Sequence, residues 1–124
     1  MKIKRGFTLV ELLVVLAIIG TLLSLSAPRY FRSMEKAKES VLRENLNTLR
    51  TTIDKYFSDT GRYPASLSDL VLKHYLRKIP EDPLTESDAT WTLIPPIDKD
   101  KGDVYDVKSG AQGRSEDGTA YKDW

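Results

Sequence analysis

One carboxylate, Glu11, stands alone in a run of 21 residues, Phe7 to Ala27, whose other members are apolar or small and uncharged. An ionised acid a turn inside an apolar helix is costly unless it meets a partner, so Glu11 is by default a candidate functional position. The plain alternative is a carboxylate that snorkels to a nearby interface. Position favours a partner. A cut after Gly6 would make Phe7 the N-terminus and place a fresh ammonium one helical turn from Glu11. The amine of one subunit could then pair with the Glu11 of its neighbour and offset the desolvation of both. Catalytic chemistry finds little support elsewhere. His74 is the only histidine, there is no cysteine, and no Gly-x-Ser-x-Gly, phosphate-cradling loop or His-rich metal spacing occurs. Asp54, Asp59, Glu81 and Asp82 read as helix-end and turn residues, and the chain is expected not to be an enzyme.

The element that must position Glu11 is a membrane-crossing helix. Twenty-one residues at about 1.5 Å each match the hydrocarbon thickness of a bilayer. Lys2, Lys4 and Arg5 precede the run with no acid among them, which holds the N-terminus in the cytoplasm and sends the rest outward. Ser24 to Ser26 would pass as a general secretory cleavage site, but the glutamate and the length of the apolar run argue against that reading.

Arg5-Gly6-Phe7-Thr8-Leu9-Val10-Glu11 and the apolar residues after it resemble the class III signal of type IV pilins and of the pseudopilins of type II secretion. The resemblance implies that a prepilin peptidase cuts between Gly6 and Phe7, that the new N-terminal Phe7 is methylated, and that Glu11 serves assembly. Pro28 matches the proline that bends the first helix in many relatives. The implied fold class is α+β, a type IV pilin-like lollipop with a long N-terminal helix on a small antiparallel sheet and a C-terminal loop. The implied segments are a leader, 1–6, a transmembrane and assembly helix, 7–28, its amphipathic continuation, 29–60, and a periplasmic domain, 61–124.

The function so implied is that of a major pseudopilin in the inner membrane, crossing it once. Such subunits leave the lipid to form a helical homo-oligomer that pushes folded proteins through an outer-membrane secretin. Implied partners are minor pseudopilins, the prepilin peptidase, and the inner-membrane platform with its ATPase. A type IV pilin for adhesion, motility or DNA uptake is the alternative, followed by a binding or enzymatic domain that uses the helix only as an anchor. The lack of cysteine favours the pseudopilin, because adhesive pilins commonly close their C-terminal region with a disulfide.

With 124 residues there is room for one small domain beyond the helix. Loss of the three leader cations takes the side-chain charge from +1 to −2, so bulk charge offers nothing to a nucleic-acid partner. Leu42, Leu46, Leu49, Ile53 and Tyr56 or Phe57 recur at three- and four-residue spacing and predict the buried stripe of the long helix. Gly20 and Pro28 predict a kink or a local melt, with Ser24 and Ser26 available to the freed carbonyls. Gly61 suits a left-handed cap, and Ser66 caps a short helix with Leu67, Leu70, Val71 and Tyr75 on its apolar face and His74 within it.

Gly61-Arg62-Tyr63-Pro64 and Ile79-Pro80-Glu81-Asp82-Pro83 resemble the connections found in major pseudopilins. Trp91 to Ile94 and Val104 to Val107 read as two antiparallel strands, with a third from the tail. The stretch from Ser109 to Trp124 is polar and Gly-rich, yet it ends in a tryptophan that needs burial. In the resembling family this loop binds one calcium, which a cysteine-free exported domain could use as a staple. Carried over, the ligands are Asp117 and Asp123, with Glu116 behind them. Gln112 stands where the family places a carboxylate.

Overall fold

A computed structural model describes residues 5–124, so the leader cations Lys2 and Lys4 lie outside the described residues. The chain divides into two compact units, one ending at Lys36 and the other running from Ala37 to Trp124. Helix α1, Leu9–Thr60, is continuous for 52 residues and supplies part of both.

In the first unit the helix carries its apolar residues outward. From Leu9 to Leu25 the large aliphatic side chains are roughly half to three-quarters exposed. The expected melt at Pro28 does not occur, since helix continues on both sides of it. Proline lacks the N–H that would reach the Ser24 carbonyl. The Ser24 hydroxyl donates instead to Gly20 O at 2.8 Å, and Thr21 does the same to Ala17 O at 2.8 Å, so these side chains back up the preceding turn. Neither serves the carbonyl that Pro28 frees.

In the second unit Leu42, Leu46, Leu49, Ile53 and Tyr56 form the buried stripe. Their 4-3-4-3 spacing keeps them on one face. Tyr56 is the aromatic that faces inward; Phe57 is half-buried and stacks on Tyr63, with ring centroids 4.4 Å apart. The helix ends where Gly61, at φ 72°, donates its N–H to Phe57 O at 2.7 Å. Helix α2, Leu67–Leu72, starts at Ser66, whose hydroxyl accepts the Asp69 N–H. His74 lies outside α2, two residues past its end at φ 64°.

Strands β1, Thr92–Ile94, and β2, Asp106–Lys108, pair antiparallel with Leu93 opposite Val107. The third strand expected from the tail does not form. Arg114 and Ala120 make a single isolated bridge instead, because the tail turns back on itself between them. The α+β class holds, with a sheet of two strands. Val104, Val107, Leu70 and Trp91 close over the α1 stripe, and each fully buried aliphatic contributes roughly 1.5–3 kcal/mol. The Trp91 indole N–H donates to Pro80 O at 2.8 Å, which fixes the long connection between α2 and β1.

Candidate functional site

At the start of α1 the backbone N–H of Thr8 donates to Glu11 Oε2 at 2.9 Å, and the Glu11 N–H donates to Thr8 Oγ1 at 3.1 Å. This reciprocal pair is a capping box, which satisfies two of the donors that a helix start leaves bare. The Thr-x-x-Glu spacing was readable in the sequence, yet the role of Thr8 went unread there. One Glu11 oxygen is thus engaged within the chain, and the carboxylate stays at an exposed helix end where the macrodipole favours negative charge. Phe7, one residue before the cap, is 86% exposed, and Gly6 beside it is exposed too. The bond between them is open to a protease.

From this cap the apolar side chains cover every side of α1 through Leu25, a surface far larger than soluble monomers expose. α1 is long and apolar enough to cross a membrane. Gly20 has open space where a side chain would project. Gly20 and Pro28 therefore sit in a continuous exposed helix, with Thr8 and Glu11 at its head.

The other candidate, the C-terminal loop, is ordered by its own bonds. Ser115 N–H donates to Thr119 O at 2.8 Å and Gly118 N–H to Ser115 O at 3.0 Å. Asp117 Oδ1 accepts both the Thr119 N–H, at 2.9 Å, and its hydroxyl, at 2.5 Å. Those hydrogen bonds, with Arg43 adding a smaller share, hold the Asp117 carboxyl below its ordinary value of 3.8. Trp124 donates its indole N–H to Thr119 Oγ1 at 2.8 Å and packs edge-on against Tyr121. Tyr121 in turn donates to Glu39 Oε1 at 2.7 Å.

Glu116, Asp117 and Asp123 are not brought together as ligands. Among the described residues no three His, Cys, Asp or Glu side chains group as a metal site requires. Glu116 and Asp123 point to solvent, and the Asp123 carbonyl accepts from Lys108 Nζ at 3.0 Å. This donor set does not fit the calcium that the family resemblance implies, since Glu116 and Asp123 are exposed and apart while Asp117 is taken up by Thr119 and faces Arg43.

Two other polar centres escaped sequence reasoning. Arg50 Nε donates to Asp106 Oδ1 at 2.8 Å, and its NH2 donates to Val107 O at 3.0 Å and to the Trp124 main-chain oxygen. One residue thereby ties α1 to β2 and to the tail. Asp82, fully buried, accepts from the Ser109 hydroxyl and from Leu84 N–H, so it is more than a turn residue. Ser109 also accepts the Ala111 N–H at 3.1 Å. No periodicity announces either centre, because both depend on partners more than 25 residues away.

The prokaryotic N-terminal methylation motif matches residues 1–27. Over 130 residues the chain is 30% identical to type II secretion system core protein G of Pectobacterium carotovorum, covering 92% of this chain and 81% of that protein. To the protein of the same name from Dickeya chrysanthemi it is 33% identical, with 82% and 75% covered. The type IV major pilin protein PilA of Myxococcus xanthus is 41% identical over 60 residues, 48% of this chain and 27% of that pilin. No solved structure matches significantly.

Proposed function

The chain belongs to the type II secretion system core protein G family, and on that premise we propose that it is the major pseudopilin, the repeating structural subunit of a periplasmic filament that drives protein export. The observation that carries this reading is a helix with the capping box Thr8–Glu11 at its head and an all-round apolar surface behind it. Its matched relatives are core proteins of type II secretion along most of their length.

The mechanism starts in the membrane. Residues 1–6 face the cytoplasm, α1 crosses the inner membrane once, and the second unit lies in the periplasm. A prepilin peptidase removes the leader after Gly6, and Phe7 becomes a methylated N-terminal amine. The chain's role is architectural, and it carries no reaction of its own. The platform and its ATPase supply the work of extraction, and minor pseudopilins begin the fibre.

On extraction the apolar helix exchanges lipid for identical helices, two environments of similar polarity. The hydrophobic effect contributes little to such a step; close packing and polar pairing set the register. Thr8 holds one Glu11 oxygen in the capping box, which leaves the other for the amine of a neighbouring Phe7. Removing one partner of such a desolvated pair costs roughly 3 kcal/mol, about a hundredfold in association.

Glu11→Ala is therefore expected to insert normally and be cleaved, yet to give about a hundredfold less cross-linkable filament. A normal filament yield would contradict the pairing. The similarity to the Myxococcus pilin supports a second reading, a surface pilus, and that reading expects surface fibres at native expression levels.

A further inference from the structure

We propose that the C-terminal loop of this protein is closed by its own cationic side chains, with Arg43 at the centre, and that its folding is independent of calcium. Three observations meet there. Arg43 NH2 lies 3.8 Å from Asp117 Oδ2, the oxygen that Thr119 leaves open. The Arg43 guanidinium carbon also sits 4.3 Å from the centroid of the Trp124 ring, so one planar cation faces both the carboxylate and the terminal aromatic.

Two main-chain oxygens of the loop have cationic partners as well. Arg114 NH1 donates to Gly118 O at 2.9 Å, and Lys108 Nζ donates to Asp123 O at 3.0 Å.

A calcium ion would need six to eight oxygens, several of them charged. Here the one carboxylate well placed in the loop has Thr119 on one oxygen and an arginine beside the other. Two carbonyls that could join it already accept from cationic donors. A divalent ion would have to displace these donors and sit beside Arg43 against like-charge repulsion. Gln112, exposed and uncharged, brings no compensating carboxylate. Arg43 comes from α1, and so ties the tail directly to the helix that carries the core stripe.

The test uses the full-length protein purified in detergent, with thermal unfolding and amide exchange of residues 115–124 as readouts. A calcium site saturated a hundredfold above its Kd would raise Tm on the order of 10 °C. The expected result is the same Tm and the same exchange in millimolar calcium and in chelator. Arg43→Ala is expected to speed exchange at Thr119 and Trp124 about tenfold in both media, and Arg43→Lys to recover only part of the protection.

Asp117→Asn keeps the side chain's shape and gives the same readout if Arg43→Ala fails to fold. A calcium-dependent rise in Tm, slower tail exchange in calcium, or unchanged exchange in both Arg43→Ala and Asp117→Asn would overturn the proposal.

Discussion

Arg50→Ala should be among the most damaging single changes outside the aliphatic core. The side chain donates to the Asp106 carboxylate, to Val107 O and to the Trp124 main-chain oxygen, so its loss releases β2 and the tail from α1 together. Hydrogen bonds involving a charged group contribute about 1.5–3 kcal/mol each when shielded. The Arg50 and Asp106 side chains are 36% and 28% exposed, so water replaces much of what is lost and the sum must be discounted. Asp106 Oδ1 also keeps the Val107 N–H, at 2.8 Å, and is not left bare.

The net cost is then roughly 2–3 kcal/mol, a fall in Tm of about 10–20 °C for a folded unit of this size. Arg50→Lys keeps the charge and loses the fork, and is expected to fall between the two. Circular dichroism melts of the full-length protein in detergent measure it. A Tm for Arg50→Ala within about 2 °C of the unaltered protein would refute the hub reasoning.

Two further predictions rest on the same framework. Asp82→Ala removes the buried acceptor of the Ser109 hydroxyl and the Leu84 N–H and should cost about 3 kcal/mol, read as a lower denaturant midpoint; Ser109→Ala should cost less, since Leu84 still bonds. Asp117 has its carboxyl held below 3.8 by Thr119 and then by Arg43, so its contribution is present above that pH and is lost as pH falls through the lower folded value. The Thr119 amide resonance should accordingly titrate with a midpoint below pH 3.8, and lose that titration in Asp117→Asn.

The parts of the fold that sequence reasoning recovered are those written in local spacing. The stripe from Leu42 to Tyr56 follows from its period, and the caps at Gly61 and Ser66 follow from residue types that suit those conformations. β1 and β2 were anticipated within two residues, because a β-branched or aromatic run says where extended chain begins but not which residues pair.

Of the kink or melt expected at Pro28, the melt is absent because a missing donor costs one hydrogen bond, while the neighbouring apolar turns continue the helix on both sides. In the tail the carboxylates are visible in the sequence, while the cations that meet them are not adjacent. Arg43 lies 74 residues before Asp117 in the chain. Asp82 and Ser109 stayed hidden for the same reason. Glu11 draws notice because a charge in an apolar run is a local anomaly, whereas its cap with Thr8, only three residues away, is seen only in the structure.

The measurement that bears most directly on the central claim is the intact mass and N-terminal sequence of the protein extracted from membranes, with and without the prepilin peptidase. A chain that begins at Phe7 and carries one added methyl, seen only when the peptidase is present, is the predicted result. A chain that begins at Met1 in both cases, or one cut near Ala27, would remove the amine that Glu11 is proposed to meet and contradict the account.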